Sequence, residues 1–257
     1  MDYLIGTCGY AYPQWKGVFY PQGTKEEDFL TFYASRFPAV EVDSTFYRMP
    51  TAKQLSGMLA HGGGNLRFSI KAPRTLTHEI GVWKQDATLF KDALEPMMAD
   101  GSLTALLFQF PQSFRYEPDN RVYLAGLLAE FSGYPSVVEF RSDAWMQNRV
   151  YDGLEARGAG ICVCDLPSLR GLPKLVPVAT GGRGYIRFHG RNAGSWYGDS
   201  AVARYDYLYS ETELASFVPA IRAIKGKTKT IHLFFNNHPA GNATVNAKTM
   251  MEILGEQ

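Results

Sequence analysis

The sequence predicts a (β/α)8 barrel, and three observations carry that expectation. Apolar runs of about five residues recur along the chain, most are followed by a segment with helical spacing, and 257 residues hold eight such runs. Strand–helix alternation implies a parallel sheet, because parallel strands need crossover connections. Barrels of this type run to about 250 residues as one domain. The whole chain, 1–257, therefore reads as one barrel domain, with no composition shift or low-complexity stretch to mark a boundary. An open doubly wound sheet is the alternative. It is weakened because the first strand-to-helix turn, GTCGYAYPQW, is not a glycine-rich phosphate fingerprint.

The expected strands are YLIGTC (3–8), AVEVD (39–43), LRFSIKA (66–72), TALLFQF (104–110), SVVEF (136–140), GICVCD (160–165), GYIRFH (184–189) and TIHLFF (230–235). Helices are expected over 26–37, 51–60, 86–98, 120–131, 145–157, 211–225 and 243–254. Thr51 follows a proline, and Ser210 with Glu213 reads as a capping box. The segment LPSLRGLPKLVPVATGGRG, between the sixth and seventh strands, should carry no helix, since its prolines and glycines break one.

Composition narrows the function classes. Hydrophobic content of 46%, charged content of 20% and a formal net charge of +1 describe a soluble globular protein without a basic field to gather nucleic acid or anionic membranes. The start, MDYLIGTCGY, lacks the basic and apolar regions of a signal peptide, and no apolar run approaches the roughly 20 residues of a membrane span. Three cysteines (Cys8, Cys162 and Cys164) are too few for a disulfide framework, so a reduced, cytoplasmic protein is expected.

Barrels bind ligands at the C-terminal ends of their strands, and polar residues gather there. The second strand ends in Glu41 and Asp43, the third in Ser69 and Lys71, the fourth in Gln109 and the fifth in Glu139 and Arg141. The sixth ends in Asp165, the seventh in Arg187 and His189, and the eighth runs into Asn236, Asn237 and His238. Pairs two apart share one face of a strand, so they should look into the barrel mouth while their apolar neighbours face the helices. With Asp165 towards the mouth, alternation turns Cys162 and Cys164 to the helices as small buried hydrophobes. The competing structural reading is that Glu41, Glu139, Arg141 and Arg187 only neutralise one another. Buried charges cost several kcal/mol each unless paired.

The segments GTCGYAYPQWKGVFYP (6–21), VEVDSTFYRMP (40–50), FSIKAPRTLTH (68–78), FQFPQSF (108–114), VEFRSDAW (138–145), IRFHGR (186–191) and FFNNHPAGNATVNA (234–247) resemble the YecE-like family, a domain of unknown function. The resemblance runs in order along nearly the whole chain and implies a TIM-barrel-like fold, but supplies no reaction. Two positions depart from the family pattern: Cys8 stands where serine is usual, and Asp43 where asparagine is usual. Those departures argue against an essential thiolate at Cys8 and against an obligatory metal-ligating carboxylate at Asp43.

The chemistry expected from these residues is an enzyme, or a specific binding site, for a small anionic or polyhydroxyl ligand. Glu139, Lys71, His189 and Glu41 are the candidate catalytic groups: carboxylates tuned by a dry site, and a lysine able to protonate a leaving group or form a Schiff base. Arg141, Arg187, Gln109, Asp165, Asn236, Asn237, Tyr10, Tyr47, Arg74 and His78 are the expected ligand contacts, since arginine suits bidentate anion binding. There are three alternatives. A nucleic-acid barrel would use Tyr10, Tyr12, Trp15, Phe46, Tyr47, Trp145, Trp196 and Tyr197 for base stacking. A divalent-metal-dependent hydrolase or isomerase would use Glu41, Asp43, Glu139, Asp165 and His189, and a non-catalytic binding protein would show the same pocket. No cofactor fingerprint appears, and oligomeric state leaves no signal. The common barrel glycosidase arrangement fails, because the fourth strand offers Gln109 and the seventh Arg187 and His189 instead of carboxylates, while a different pair such as Glu41 and Glu139 stays open.

Overall fold

A computed structural model describes residues 3–81, 83–198 and 200–256. Among these, eight strands form one sheet: β1 (Tyr3–Thr7), β2 (Ala39–Val42), β3 (Arg67–Lys71), β4 (Leu103–Phe110), β5 (Ser136–Phe140), β6 (Gly160–Asp165), β7 (Gly184–Phe188) and β8 (Ile231–Phe235). All neighbouring pairs are parallel, and the ladder runs β1-β8-β7-β6-β5-β4-β3-β2. On the side facing the helices the strands carry β-branched, leucine and phenylalanine side chains. Val42, Ile70, Phe108, Phe110, Phe140, Val163, Ile186 and Phe188 join the outer core with residues such as Leu55, Phe90, Leu127 and Ile221.

The ends of the ladder, β1 and β2, meet at a single bridge between Cys8 and Glu41, where the Gly9 N–H donates to the Glu41 carbonyl at 2.7 Å. Below it a side chain replaces the ladder. The Tyr33 hydroxyl accepts from the Thr7 N–H at 2.8 Å and donates to the Ala39 carbonyl at 3.0 Å. Gly6 permits this approach: a Cβ there would sit 1.9 Å from the Ala39 oxygen. The barrel is thus nearly closed, with a phenol as the missing rung.

The helices are α1 (Phe29–Ala34), α2 (Ala52–Gly62), α3 (Trp83–Ala99), α4 (Pro118–Glu130), α5 (Asn148–Glu155), α6 (Ala201–Tyr205), α7 (Glu211–Ser216), α8 (Val218–Lys225) and α9 (Asn242–Leu254). Both expected caps form: Thr51 and Gln54, and Ser210 and Glu213, exchange reciprocal side-chain and backbone hydrogen bonds. Three expectations need correction. The helix over 211–225 is two helices, because Pro219 lacks an N–H and restarts the chain at α8. The helix over 145–157 starts only at Asn148, after a 3-10 turn over Asp143–Trp145. The short α6, capped by Ser200, was not anticipated.

Candidate active site

Register decides which side chains enter the barrel. Glu41 pairs with Ser69, Gln109 with Glu139, Glu139 with Cys162 and Cys164 with Arg187, and residues level with one another on adjacent strands face the same way. The interior therefore holds Glu41, Ser69, Gln109, Glu139, Cys162, Cys164, Tyr185, Arg187, His232 and Phe234. This overturns the expected facing of β6. Cys162 and Cys164 point inward, with sulfurs 3.8 Å apart. Asp165 points outward, where it accepts from the Arg191 guanidinium at 2.8 and 2.9 Å and from the Tyr209 hydroxyl at 2.7 Å. Those partners satisfy it on the helix side, so its polarity was no sign of the mouth.

The buried floor of the mouth is an alternating chain of charges. Arg187, 1% exposed, donates to Glu41 Oε1 and Glu139 Oε2 at 2.6 Å each, and its Nη2 lies 3.4 Å from Cys8 Sγ. Ser69 donates to Tyr185, which donates to Glu41 Oε2 at 2.6 Å. Glu139 also accepts from Arg141 Nε and stands 3.5 Å from His189 Nε2. Burial alone would raise the Glu139 pKa, but Arg187 and Arg141 outweigh it and hold the carboxyl well below the usual range. Burial, and then Arg141 and Arg187, push His189 well below its usual value, so its imidazole is neutral. Asn236 Nδ2 lies 2.9 Å from His189 Nδ1, and Arg141 Nη2 lies 3.3 Å from its Nε2.

Above this floor the mouth is in part covered by loops and in part open. The loop after β7 lays the buried Trp196 against Arg141, whose guanidinium carbon is 5.7 Å from the indole centroid, and Tyr205 packs beside His189. The open side lies over the ends of β1 and β2, beside the loop after β8. There a cavity of about 290 Å³ is lined by Gly9, Tyr10, Ala11, Tyr12, Val42, Asp43, Ser44, Tyr47 and His238. Tyr12 is stacked on His238 at 4.8 Å and fixed through its hydroxyl to the Cys8 carbonyl at 2.9 Å. The register of β2 on β3, continued one residue, sets Asp43 beside Lys71. Lys71 is half-buried with its ammonium 4.1 Å from the Phe46 centroid, and among the described residues it makes no ion pair. Burial, then the positive field of Arg187, lowers its pKa to about 8. Burial raises that of Asp43 against the pull of Lys71. His78, beside Phe46, falls to about 4 through burial and then through Lys71 and Arg141.

The expected site residues therefore divide. Lys71, Arg141, Gln109, Tyr10, Tyr47 and His78 lie at the mouth, with Arg74 on the rim in an ion pair with Glu79 at 2.7 Å. Glu41, Glu139, Arg187, His189 and Asn236 form the floor. Asp165 lies outside the barrel. Asn237 is buried under α9, donating to the Tyr207 carbonyl and to Asn246 Oδ1 at 2.8 Å each. Two groups gain a role in the structure: Asp43, expected at the mouth and as a metal donor, and Tyr205, for which α6 carries no sequence signal.

Eight parallel strands closing round a charged interior, with helices outside, define a (β/α)8 barrel. The chain belongs to the family described as Protein of unknown function DUF72, whose model matches residues 4–257. That is the family the sequence motifs resemble, YecE-like being another name for it. The UPF0759 protein YunF of Bacillus subtilis (strain 168) is 29% identical over 252 residues, spanning 91% of this chain and 89% of its own. A DUF72 family protein from Thermotoga maritima is 34% identical, covers 100% of both chains and superposes with a TM-score of 0.91. One from Enterococcus faecalis is 24% identical at a TM-score of 0.88, covering 99% and 96%. SacUVDE, 10% identical at a TM-score of 0.55 over 99% and 98%, shares the fold alone. Among the described residues no helix is long and apolar enough to cross a membrane.

Proposed function

We propose that the open side of the mouth is the active site of an enzyme acting on a small anionic, hydroxyl-bearing substrate, with Lys71 and Asp43 as its proton-transfer pair. One observation carries this reading. An ammonium at the end of β3 and a carboxyl just after β2 are neighbours, each shifted towards neutrality by burial first, and the ammonium makes no ion pair among the described residues. Groups whose pKa values approach the working pH are the effective acids and bases. Lys71 gives a proton to a leaving group or developing oxyanion, and its neutral fraction is a competent nucleophile towards a carbonyl. Asp43 takes or returns the companion proton. Arg141, at the edge of the floor, anchors the substrate anion. The Tyr10, Tyr12 and Tyr47 rings and hydroxyls suit a polyhydroxyl body. Glu139 then acts as a fixed anion that orients Arg187 and Arg141, and not as a proton carrier, because two guanidiniums hold it ionised. A larger cavity of about 550 Å³, lined in part by Arg67, Arg183 and Lys229, lies at the opposite end, the face that in barrels serves stability.

A thermal-shift screen of sugar phosphates, sugar acids, hydroxy acids and short oligonucleotides tests the reading. A ligand at 100 times its dissociation constant adds about 2.7 kcal/mol, which raises Tm by roughly 5–10 °C for a domain of this size. The expected result is a shift confined to small anions and abolished by Lys71→Met, with any turnover changing around pH 8: falling above it where the ammonium donates the proton, rising where the free amine attacks a carbonyl. A shift only with oligonucleotides, or one that Lys71→Met leaves intact, overturns it.

A further inference from the structure

We propose that Cys162, Cys164 and Glu139 form a binding site inside the barrel for a thiophilic divalent cation, zinc above all. Both cysteines project inward from β6, their sulfurs 3.8 Å apart. Glu139 Oε2 on the adjacent β5 is 3.8 Å from Cys162 Sγ, and one donor atom from each of the three residues falls within 4.8 Å of the others. Tetrahedral zinc has Zn–S bonds of about 2.3 Å and Zn–O bonds of about 2.1 Å, which place its sulfurs about 3.8 Å apart and sulfur from oxygen about 3.6 Å. The donors already stand near those separations. They are held by a strand paired on both sides, Glu139 level with Cys162 and Arg187 level with Cys164.

Charge decides which exchange the interior tolerates. Glu41 and Glu139 balance Arg141 and Arg187 one for one, so an added cation would be uncompensated. Zinc entering with loss of two thiol protons leaves the sum unchanged: one divalent cation and two thiols become one metal dithiolate and two released protons. Both metal–sulfur bonds form from the electron pairs of the departing S–H bonds, and nothing is oxidised or reduced. Glu139 Oε2 keeps Arg187 as its outer partner, as ligating carboxylates commonly keep a hydrogen bond. A hard ion such as magnesium would find one carboxylate oxygen and two sulfurs, a poor donor set. The five-residue oxygen and nitrogen set expected from sequence is not gathered here: Asp165 faces outward and Glu41 is held by Arg187 and Tyr185. Three protein donors leave the fourth corner of the tetrahedron to a water or small ligand. The site is separate from the Lys71–Asp43 pair, and Glu139, which in that reading only orients Arg141 and Arg187, is the one residue the two have in common.

Because the donors are buried, the full-length chain is refolded under reducing conditions with cobalt(II) and then desalted. Expected are about one cobalt per chain, a thiolate-to-cobalt charge-transfer band with tetrahedral visible bands, and release of two protons per metal. Zinc should displace the cobalt and raise Tm reversibly on chelation. Cys162→Ser and Cys164→Ser should lose the band, whereas Cys8→Ser, whose sulfur lies beside Arg187, should keep it. Wild-type protein that refolds by circular dichroism yet retains no cobalt, and gains no Tm from zinc, overturns the proposal without recourse to any variant. Retention of the band in Cys162→Ser overturns it too.

Discussion

Arg187 and Lys71 lie in the same barrel, and each is explained by what stands beside it. Arg187 is the middle of a Glu41–Arg187–Glu139 chain whose members are all buried. Removing one partner of such a set strands the others, at a cost of about 3–5 kcal/mol. Arg187→Met should therefore lose about that much stability in urea denaturation at pH 7, and Glu41→Gln added to it should restore part of the loss. A surface-like cost below about 1 kcal/mol would show that the pairs contribute little. Lys71 is the opposite case. Its folded pKa of about 8 lies below the ordinary 10.5, so the unfolded chain binds the extra proton between those values and wild-type stability rises as pH climbs from 8 to 10.5. Below pH 8 the buried charge is a standing cost. Lys71→Met should then be more stable than wild type at pH 7, with the gap closing towards pH 10.5. A Tm difference that is flat across that range would mean that the ammonium is not desolvated.

At the scale of elements, the strands were legible because each is an apolar run bounded by polar or turn residues, and local pattern is all a strand needs. What the pattern did not carry is facing and closure. The outward turn of Asp165 depends on Arg191 and Tyr209, which lie 26 and 44 residues along the chain, and no window on β6 contains them. The inward thiols follow from register with Arg187, again a non-local fact. Lys71 and Arg141 are placed at the mouth by strand ends alone, since i, i+2 parity suffices there, and Tyr47 by its loop after the second strand. The seam is equally invisible in sequence: Tyr33 reads as one more apolar position of a helix. Its hydroxyl serves two backbone groups of different strands, so Tyr33→Phe leaves the Thr7 N–H and the Ala39 carbonyl buried without it. Each such group costs about 1–3 kcal/mol. Thermal denaturation should show a loss in that range with the fold retained. Indifference to the change would mean that water takes over the rung.

For the molecule as a whole, the seam is where the barrel should open first, and the proposed active site straddles it. Interior strands are hydrogen-bonded along both edges, whereas β1 and β2 rely on one bridge and a phenol where they meet. Alternate amides of one strand report the difference. The Thr7 and Gly9 N–H groups face the seam, and the Cys8 N–H between them is tied to Phe235 of β8. Local opening has its own free energy, so Thr7 and Gly9 should exchange hydrogen faster than Cys8. The cavity walls come from both sides of that joint: Tyr10 and Tyr12 follow β1, Asp43 and Tyr47 follow β2. A small anion bound there must leave before the seam parts. The anion returned by the thermal screen, at 100 times its dissociation constant, should therefore slow exchange at Thr7 and Gly9 by about 100-fold. A ligand seated elsewhere would protect only amides that exchange through global unfolding and leave those two unchanged. Measuring that one pair of amides with and without ligand thus locates the site and identifies the weakest joint of the barrel in a single experiment.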